Sequence, residues 1–367
     1  MKISIERAAL LKALGHVQNV VERRNTIPIL SNVLIDANEN NITLVATDLD
    51  IEVSEAAIAT VSAPGQVTAP AHTLYDIARK LPDGSQVSLQ INSDGRLDID
   101  AGRSHFTLPL LPSSDFPKMT ADGFTHSFVL KAPELTRLID KTKFAISTEE
   151  TRYYLNGIYV HGHNGKLRAV ATDGHRLALA EMDLPEGAAG LPGVIMPRKT
   201  IAEIRRLIDG SDADIAISIS EAKVRFHFNS AIITSKLIDG TFPDYERVIP
   251  KGNDKELTID NKVFANAVDR VATISAEKSR SIKVALSQDS LSLTVNNPES
   301  GNAHEDIVVD YSSEPLEIGF NAKYLLDVAG QIEGRDAVFL LDNPAAPALV
   351  KDTEDENALF VLMPLRV

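Results

Sequence analysis

The residues of this chain best suited to metal binding or catalysis are the histidines and the aspartate between positions 161 and 175. His161 and His163 alternate along one predicted strand, and Asp173 and His175 follow the next strand. Imidazole nitrogens and carboxylate oxygens bind zinc, manganese or iron in many proteins. One hypothesis is therefore a metal-dependent hydrolase or transferase that uses the His161/Asp173/His175 region.

The predicted hairpin argues against such a metal site. Asn164-Gly165 is typical of a two-residue turn, and this turn places His161 opposite Arg168. The same register puts Asp173 roughly 16 Å along the strands from His161, at about 3.3 Å per residue. An arginine opposite the histidine also disfavours a bound cation. We expect His161 and His163 to be exposed strand residues, and we predict no metal site and no cofactor.

The far end of the same hairpin offers a different kind of site. There the register sets Leu155 opposite Gly174, close to Thr172 and Leu177. A glycine at this point permits a sharp turn or a close approach of the backbone. With Arg176 at its edge, this end is predicted to form an apolar dent with basic edges. Such a dent suits the apolar side chains and the carboxylates of a peptide.

Catalytic motifs are absent from the sequence. It contains no Gly-rich phosphate loop, no G-x-S-x-G elbow and no H-E-x-x-H pair. Glu149-Glu150 and the acidic residues of 352–356 fall in polar stretches that indicate solvated loops. We predict no catalytic residue and a protein that is not an enzyme.

Three repeats position these residues. Each copy runs from a strand into a helix, through a hairpin, into a second helix and on to another alternating strand. The hairpin segments are Ala46-Thr47-Asp48, Ala171-Thr172-Asp173 and Val295-Asn296-Asn297. Their spacing of about 125 residues is the size of a domain and exceeds a solenoid repeat. We predict three tandem α+β domains at residues 1–125, 126–253 and 254–367.

The charge distribution fits either ordinary solvated helix faces or a surface that meets a polyanionic partner. The net charge is −14 over 367 residues, yet five of the six predicted helices are net positive, so the rest of the chain is strongly acidic. Helices that line one surface would then face a polyanion, with sequence-independent phosphate contacts. The predicted helices are Arg7–Arg24, Ala71–Lys80, Ala132–Ser147, Arg198–Asp209, Asn261–Lys278 and Asn321–Gly334. The chain has no cysteine and no apolar run long enough for a membrane helix, so we expect a cytoplasmic protein with no membrane partner.

Several segments, in the same order and at the same distances, resemble the bacterial DNA polymerase III beta subunits, the sliding clamps. The resemblance covers the full length. The matching segments are Thr26-Ile27-Pro28-Ile29-Leu30, Arg152-Tyr153-Tyr154-Leu155-Asn156-Gly157, 171–177, 235–240, Phe242-Pro243-Asp244-Tyr245 and Met363-Pro364-Leu365-Arg366. The resemblance implies three DNA-clamp domains, each with two helices on the inner face and antiparallel sheets on the outer face. It also implies a head-to-tail dimeric ring around duplex DNA.

The resemblance also implies function, partners and site residues. The chain would be a non-catalytic processivity factor for DNA replication that binds double-stranded DNA without sequence preference. Its partners would be the replicative polymerase catalytic subunit, the clamp loader, other polymerases and mismatch-repair proteins, all through short apolar peptide motifs. Any DNA-directed DNA polymerase activity would belong to the holoenzyme. A third hypothesis is a three-domain scaffold that binds proteins but not DNA.

Three sets of residues carry over from the family by position. Matching peptide-pocket positions are Arg152, Leu155, Thr172, Gly174, His175, Arg176, Leu177, Pro243, Arg247, Val248, Val361, Met363, Pro364, Leu365 and Arg366. Matching DNA-facing positions are Arg24, Arg79, Tyr153, Tyr154, Arg198 and Lys199. Matching dimer-interface positions are Arg103, Phe106, Leu108, Thr273, Ile274, Glu299, Glu305 and Asp306.

Overall fold

The structure, a computed structural model, describes residues 1–120, 123–275 and 280–366. Six α-helices and 26 strands lie in these residues, so the predicted α+β class is confirmed. The helices are α1 Arg7–Val17, α2 Ala71–Lys80, α3 Ala132–Lys143, α4 Arg198–Leu207, α5 Asn261–Ala272 and α6 Ala322–Ala329. The strands of the first part of the chain are β1 Lys2–Glu6, β2 Asn32–Asn38, β3 Asn41–Thr47, β4 Ile51–Ile58, β5 Thr60–Ala63, β6 Gly65–Pro70, β7 Gln86–Ile91, β8 Leu97–Ala101, β9 Ser104–Leu108 and β10 His126–Lys131.

The middle and last parts of the chain carry the remaining strands. Those of the middle part are β11 Gly157–His163, β12 Lys166–Thr172, β13 Arg176–Asp183, β14 Val194–Pro197, β15 Asp214–Ile219, β16 Lys223–Phe228 and β17 Ala231–Lys236. Those of the last part are β18 Lys255–Asp260, β19 Ser281–Ser287, β20 Ser290–Asn297, β21 Gly301–Val308, β22 Asp310–Tyr311, β23 Leu316–Asn321, β24 Asp336–Leu341, β25 Ala348–Asp352 and β26 Ala358–Leu362.

Four antiparallel sheets organise the strands. The first sheet has the order β5-β1-β7-β8-β9, and the second has the order β10-β15-β16-β17-β4-β3-β2-β6. The third sheet has the order β14-β11-β12-β13-β26-β25-β24-β18-β22, and the fourth has the order β21-β20-β19-β23. The strands alternate as expected for sheets with one buried face. In β1, for example, Ile3 and Ile5 are buried while their neighbours are more exposed.

The chain divides into two compact units, although the repeats predict three domains. The first unit comprises Met1–Glu134, Pro185–Ala188 and Lys199–Leu237, and the second comprises Leu135–Leu184, Ala189–Arg198 and Ile238–Val367. The sheets explain the division, because they continue across the predicted domain boundaries. Within the first unit β17 pairs with β4, and within the second β13 pairs with β26. The boundaries predicted at 125/126 and 253/254 stay a prediction.

Five of the six helices begin at the predicted residue, and α2 also ends as predicted at Lys80, whereas α1, α3, α4 and α6 end earlier than predicted. Helix α1 ends at Val17 and a 3-10 turn follows, so Arg23 and Arg24 lie in a loop instead of closing the helix as predicted. A 3-10 turn has three residues per turn and therefore keeps Val17 and Val20, both fully buried, on one face. Helix α3 ends at Lys143 instead of Ser147. Near this end the Thr142 hydroxyl donates to the Leu138 carbonyl, a bond that weakens helical continuation.

Helix α4 ends at Leu207 instead of the predicted Asp209, and α6 differs from prediction at both ends. Helix α6 begins at Ala322 because the Asn321 side chain caps it, accepting the backbone N–H of Lys323 at 2.9 Å. It ends before Gly330, which is a poor helix former. The predicted end of α5, at Lys278, lies outside the described residues.

Candidate functional site

A tight turn between β12 and β13 forms the centre of the candidate site. The Asp173 carboxylate accepts the backbone N–H groups of His175 and Arg176 at 2.9 and 3.0 Å. The Thr172 hydroxyl donates to the Arg176 carbonyl at 2.6 Å and accepts the N–H of Gly174 at 3.1 Å. Gly174 has a φ of 86°, a left-handed conformation that costs glycine little. The short polar side chains therefore fix the turn from within.

Arg176 extends from this turn into the protein instead of toward solvent. Its side chain is only 6% exposed and forms ion pairs with Asp173 at 3.1 Å and with Asp327 at 2.5 Å. Its guanidinium also donates to the Phe144 carbonyl and lies 4.3 Å from the centre of the Tyr324 ring. A buried arginine with this many partners is a rigid part of the site rather than a mobile basic edge.

An apolar cavity of about 290 Å³ lies beside the turn, within the second unit. Its floor is the apolar core that Leu155, Leu177 and Val361 share with neighbouring strands. Its lining residues are Arg152, Tyr154, Leu155, Thr172, Gly174, Arg176, Leu177, Pro243, Asp244, Tyr245, Val248, Val361 and Met363. The cavity has the size and character of a site for one or two apolar side chains. At its edge the Arg152 guanidinium, 30% exposed and paired with Glu149, is the cation nearest to hand for a peptide carboxylate, whereas Arg176 is held by its own partners.

Arg152 closes one side of the cavity by packing over Gly174. A methyl group on Gly174 would lie 2.5 Å from the Arg152 Nη1 atom, so only glycine leaves space for the guanidinium. Arg152 also forms two hydrogen bonds with the Glu149 carboxylate, at 2.5 and 2.9 Å. This hydrogen-bonded guanidinium lowers the pKa of Glu149, and the carboxylate raises the pKa of Arg152. The pair therefore stays ionised at neutral pH.

The structure brings together ten of the fifteen predicted pocket residues and leaves five outside the cavity lining. The five outside it are His175, Arg247, Pro364, Leu365 and Arg366. His175 is exposed and stacks on Tyr324, while its carbonyl accepts the N–H of Met363 at 2.9 Å. Arg247 is exposed and pairs with Asp244 at 2.6 Å. Leu365 is held by its backbone, which donates to the Gly319 carbonyl at 2.8 Å.

Sequence reasoning missed three residues of the lining. Tyr245 and Asp244 lie within a matching segment but were not assigned to the pocket, and Tyr154 was assigned to DNA instead. Tyr245 is only 5% exposed and belongs to the apolar core behind the cavity. The signal for it was an aromatic residue in an otherwise polar stretch after Pro243.

The hairpin register is confirmed along its length and fails at its end. His161 pairs with Arg168 and His163 with Lys166, as predicted. Leu155 does not pair with Gly174, because strand β11 begins at Gly157 and a 3-10 turn over Glu150–Leu155 precedes it. Leu155 still reaches the cavity, through this turn rather than through a strand ladder.

The expectation of exposed histidines on β11 is wrong. His161 and His163 are both half-buried, and the His161 Nε2 atom lies 2.9 Å from the Tyr245 hydroxyl. His161 is occupied by this contact, and Asp173 by the turn described above. Within 1–120, 123–275 and 280–366, no group of three or more His, Asp or Glu residues is placed to hold a metal ion.

Comparison with known proteins identifies the family. Models of the N-terminal, central and C-terminal domains of the DNA polymerase III beta subunit match residues 1–120, 129–244 and 246–366. The chain belongs to the DNA polymerase III beta subunit family. Its three domains are therefore beta-subunit domains, built from helices and antiparallel sheets.

Full-length relatives agree with this assignment. The beta sliding clamps of Caulobacter vibrioides and Escherichia coli are 62% identical over 372 residues and 38% identical over 370 residues, with 100% of both chains covered in each case. A crystal structure of the Caulobacter crescentus clamp has a TM-score of 0.98 and 62% identity, and covers 100% of this chain and 99% of that one. The Bartonella birtlesii clamp, solved bound to griselimycin, has a TM-score of 0.98 and 51% identity over 100% of both chains. These relatives contradict the metal-dependent hydrolase or transferase hypothesis.

The predicted DNA-facing residues differ in how available they are. Arg24 and Arg198 are exposed, and the side chain of Tyr153 is 54% exposed. Arg79 is exposed and pairs with Asp76 on its own helix at 3.1 Å. In contrast, the Lys199 ammonium donates to Glu22 and Asp48, both at 2.6 Å, so two carboxylates already neutralise it. Tyr154 lines the cavity instead.

The basic residues of α4 are also engaged within the first unit. Arg206 donates to the carbonyls of Gly15 and His16 in the last turn of α1, at 3.2 and 2.9 Å. A cation at this position satisfies free carbonyls and the negative end of the helix dipole. Arg205 pairs with Asp209 at 2.8 Å. Both lie off the apolar stripe as predicted, but their roles include holding the fold.

The predicted interface residues lie on or near two sheet edges. Arg103 and Phe106 are exposed beside or on β9, whereas Leu108 is buried within its own unit. Thr273, Glu299 and Asp306 are exposed, and Ile274 is half-buried. Glu305 on β21 forms an ion pair with Arg270 of α5, which lowers the pKa of Glu305.

Among the described residues, none of the helices has the length and apolar character needed to cross a bilayer.

Proposed function

We propose that this protein is the sliding clamp of a bacterial replicative DNA polymerase. Two copies close head to tail into a ring around duplex DNA, with the helices of each domain facing the DNA and the sheets outside. The ring tethers the polymerase catalytic subunit, the clamp loader, other polymerases and mismatch-repair proteins. It performs no catalysis itself and works in the cytoplasm, where bacterial DNA is replicated.

The observation that carries this proposal is the apolar cavity beside the turn at Gly174, on a chain related to sliding clamps over its full length. A processivity factor needs one site that many partners share. A small apolar cavity with a guanidinium at its edge binds a short motif through one or two apolar side chains, so unrelated partners can use it in turn. The pocket residues carried over from the family, including those outside the lining, are proposed to contact the rest of the motif.

Two sheet edges support closure into a ring. Strand β9 has a single neighbour in the first sheet, and strand β21 has a single neighbour in the fourth. An edge strand presents backbone donors and acceptors that a second chain can pair with. Phe106 is 38% exposed on β9 and Val308 is 88% exposed at the end of β21. We propose that β9 of one copy pairs with β21 of the other, with Arg103 facing the acidic residues Glu299 and Asp306.

DNA retention by a closed ring is topological and does not require tight binding. Arg24, Arg198 and Tyr153 are the side chains most available for phosphate contacts. Contacts of this kind are weak, salt-dependent and independent of sequence, so they permit sliding.

A replication assay tests the central proposal. The protein is expected to elute as a dimer and to lengthen primer-extension products on a closed circular template only when a clamp loader is present. Linear templates with free ends provide the control, because a ring slides off them. A monomer at micromolar concentration that never supports processive synthesis would contradict the proposal. A dimer that lengthens products without associating with DNA would instead favour the protein-binding scaffold.

A truncation tests the pocket. Removal of Met363–Val367 deletes Met363 from the cavity lining but leaves strand β26, which ends at Leu362. Binding of a short apolar clamp-binding peptide is expected to be lost, with little change in the thermal unfolding midpoint. Peptide affinity that survives the truncation unchanged would refute the site assignment.

A further inference from the structure

The cavity has two kinds of wall. Thr172, Leu177 and Val361 lie on paired strands of the third sheet, whose ladders fix their positions. The opposite wall comes from Pro243–Val248, a segment that belongs to none of the described sheets and contains one 3-10 turn. Side-chain contacts must therefore hold this second wall in place.

The Tyr245 hydroxyl makes the most directional of these contacts. Its ring lines the cavity, and its oxygen lies 2.9 Å from the His161 Nε2 atom and 3.3 Å from the Arg168 Nη1 atom. The other imidazole nitrogen of His161, Nδ1, lies 3.2 Å from the Gly162 carbonyl. A carbonyl oxygen only accepts, so Nδ1 carries the proton and Nε2 accepts from the Tyr245 hydroxyl. That hydroxyl in turn accepts from Arg168 and is fully satisfied.

Stacked rings and ion pairs hold the same segment on either side of Tyr245. The Phe242 ring stacks on Tyr159 with centres 4.8 Å apart and an angle of 5°, and Tyr159 stacks on His161 at 4.7 Å. Glu246 accepts from Arg168 at 3.0 Å. Phe242, Tyr245 and Glu246 are thus all attached to side chains of the β11–β12 hairpin.

We infer that His161 and Arg168 are positioning residues of the peptide pocket: they hold Tyr245, and through it the Pro243–Val248 wall, in the shape that receives a peptide. This inference rests on the proposed function of the cavity. Neither residue lines the cavity, and both act through Tyr245. The neutral form of His161 is the one that accepts the hydroxyl proton, so acid is expected to loosen the wall.

The surroundings of His161 favour that neutral form. The titratable and charged groups that face it are Tyr159 and His163 on β11, Arg168 on β12, and Tyr245 and Glu246 on the 3-10 turn. Burial is the largest cause and lowers the pKa of His161; the hydrogen bond to the Gly162 carbonyl opposes it, the charges of Arg168 and His163 lower the pKa further, and Glu246 raises it slightly. The lowered pKa favours the neutral imidazole at neutral pH, and protonation of His161 requires more acid than that of an unperturbed histidine.

A double-mutant cycle tests the contact. The probe is a fluorescein-labelled pentapeptide with leucine and phenylalanine side chains and one aspartate, to match the apolar floor and the guanidinium at the cavity edge. His161→Phe keeps the ring stack but removes the acceptor, and Tyr245→Phe removes the donor. Each is expected to weaken peptide binding roughly fivefold, as for one lost hydrogen bond. The double variant is expected to be no weaker than either single one, whereas losses that multiply would overturn the inference.

Two further variants separate positioning from general destabilisation. In His161→Gln the amide oxygen accepts the hydroxyl proton at every pH, so binding is expected to match the unmodified protein at pH 7.5. Between pH 7.5 and 5 the unmodified protein is expected to lose affinity relative to His161→Gln, because other titrating groups are common to both. A matching pH profile would overturn the inference. His227→Phe, at an exposed strand histidine of the first unit, is the control and is expected to leave binding unchanged.

Hydrogen exchange distinguishes failure of this inference from failure of the proposed function. In His161→Phe, backbone amides of residues 245–248 are expected to exchange roughly threefold faster or more, while those of β13 and β26 are unchanged. If the unmodified protein binds no peptide but the wall still loosens in this variant, the positioning role stands and the proposed function fails. If peptide binds equally well to both proteins and exchange at the wall is unaltered, the positioning role fails alone.

Discussion

Two copies of one turn, in the first and second repeats, share their hydrogen bonds but differ in the three residues after the aspartate. In the first repeat, Asp48 accepts the N–H groups of Asp50 and Ile51 at 2.9 and 2.8 Å, and the Thr47 hydroxyl donates to the Ile51 carbonyl. Asp173 and Thr172 make the same set of bonds in the second repeat. The residue after the aspartate is left-handed in both, with a φ of 80° at Leu49 and 86° at Gly174.

The residues that differ between the two copies explain why only the second turn lines the cavity. Leu49 carries a side chain that is 39% exposed, whereas Gly174 leaves room for Arg152 at the cavity edge. In each copy the Oδ1 atom of the aspartate accepts the backbone N–H groups, and Oδ2 forms an ion pair. Asp48 Oδ2 pairs with the partly exposed Lys199, and Asp173 Oδ2 pairs with the buried Arg176. Both repeats therefore share the hydrogen-bonded turn. The second copy borders the pocket because it has Gly174 and Arg176 where the first has Leu49 and Ile51.

Loss of the aspartate is expected to have the largest effect, and a larger one in the second copy. Asp173→Ala removes the acceptor of two backbone N–H groups and one partner of the buried Arg176, so we expect a loss of about 3 kcal/mol in the free energy of unfolding. Asp48→Ala removes the equivalent bonds but leaves Lys199 with Glu22, so about 1.5 kcal/mol is expected. Urea denaturation measures both. Equal losses would mean that burial of Arg176 does not distinguish the copies.

A substitution at the position after the aspartate is expected to weaken peptide binding only in the second repeat. Gly174→Ala forces an alanine into a left-handed conformation, at a cost of about 1 kcal/mol, and displaces Arg152. Peptide affinity is expected to fall roughly tenfold, the equivalent of about 1.4 kcal/mol. Leu49→Gly is the matched control: relief of strain and loss of partial burial offset each other, so stability should change by less than about 0.5 kcal/mol. Any peptide effect of Leu49→Gly would break the comparison.

The smallest expected effect is on the salt dependence of DNA affinity, and it concerns Lys199, which pairs with Asp48 of the first turn. Arg198→Gln is expected to reduce the slope of log affinity for DNA against log salt by about 1, as for one lost phosphate contact. Lys199→Gln should reduce it by less than half as much, because Asp48 and Glu22 already neutralise this ammonium. Binding to a duplex of fixed length over a salt series gives both slopes. A larger effect for Lys199→Gln would mean that DNA displaces its carboxylate partners.

Much of the local structure was predictable from the sequence. Five of the six helices begin at the predicted residue, and the turn at Asn164-Gly165 fixes the pairing of His161 with Arg168. Helix starts follow from the change in apolar periodicity, and hairpin register follows from the turn, so both depend on neighbours in the chain. Most helix ends were missed, although α2 ends at Lys80 as predicted. Val20, for instance, lies in a 3-10 turn that packs against α2, β3 and β4, and no local pattern contains such contacts.

The sequence by itself determined the three repeats, the α+β class, the hairpin and the position of the pocket turn, because each depends on side chains close together in the chain. Only the tertiary structure decided which charged side chains form ion pairs within the protein and which are exposed to solvent. Lys199 and Arg198 are adjacent in sequence, yet one is paired with two carboxylates and the other is exposed. Tyr245 joined the pocket wall through His161, 84 residues away in the chain. Ion pairs and hydrogen bonds of this range depend on the packing of the sheets, which brings distant side chains within a few ångströms of each other.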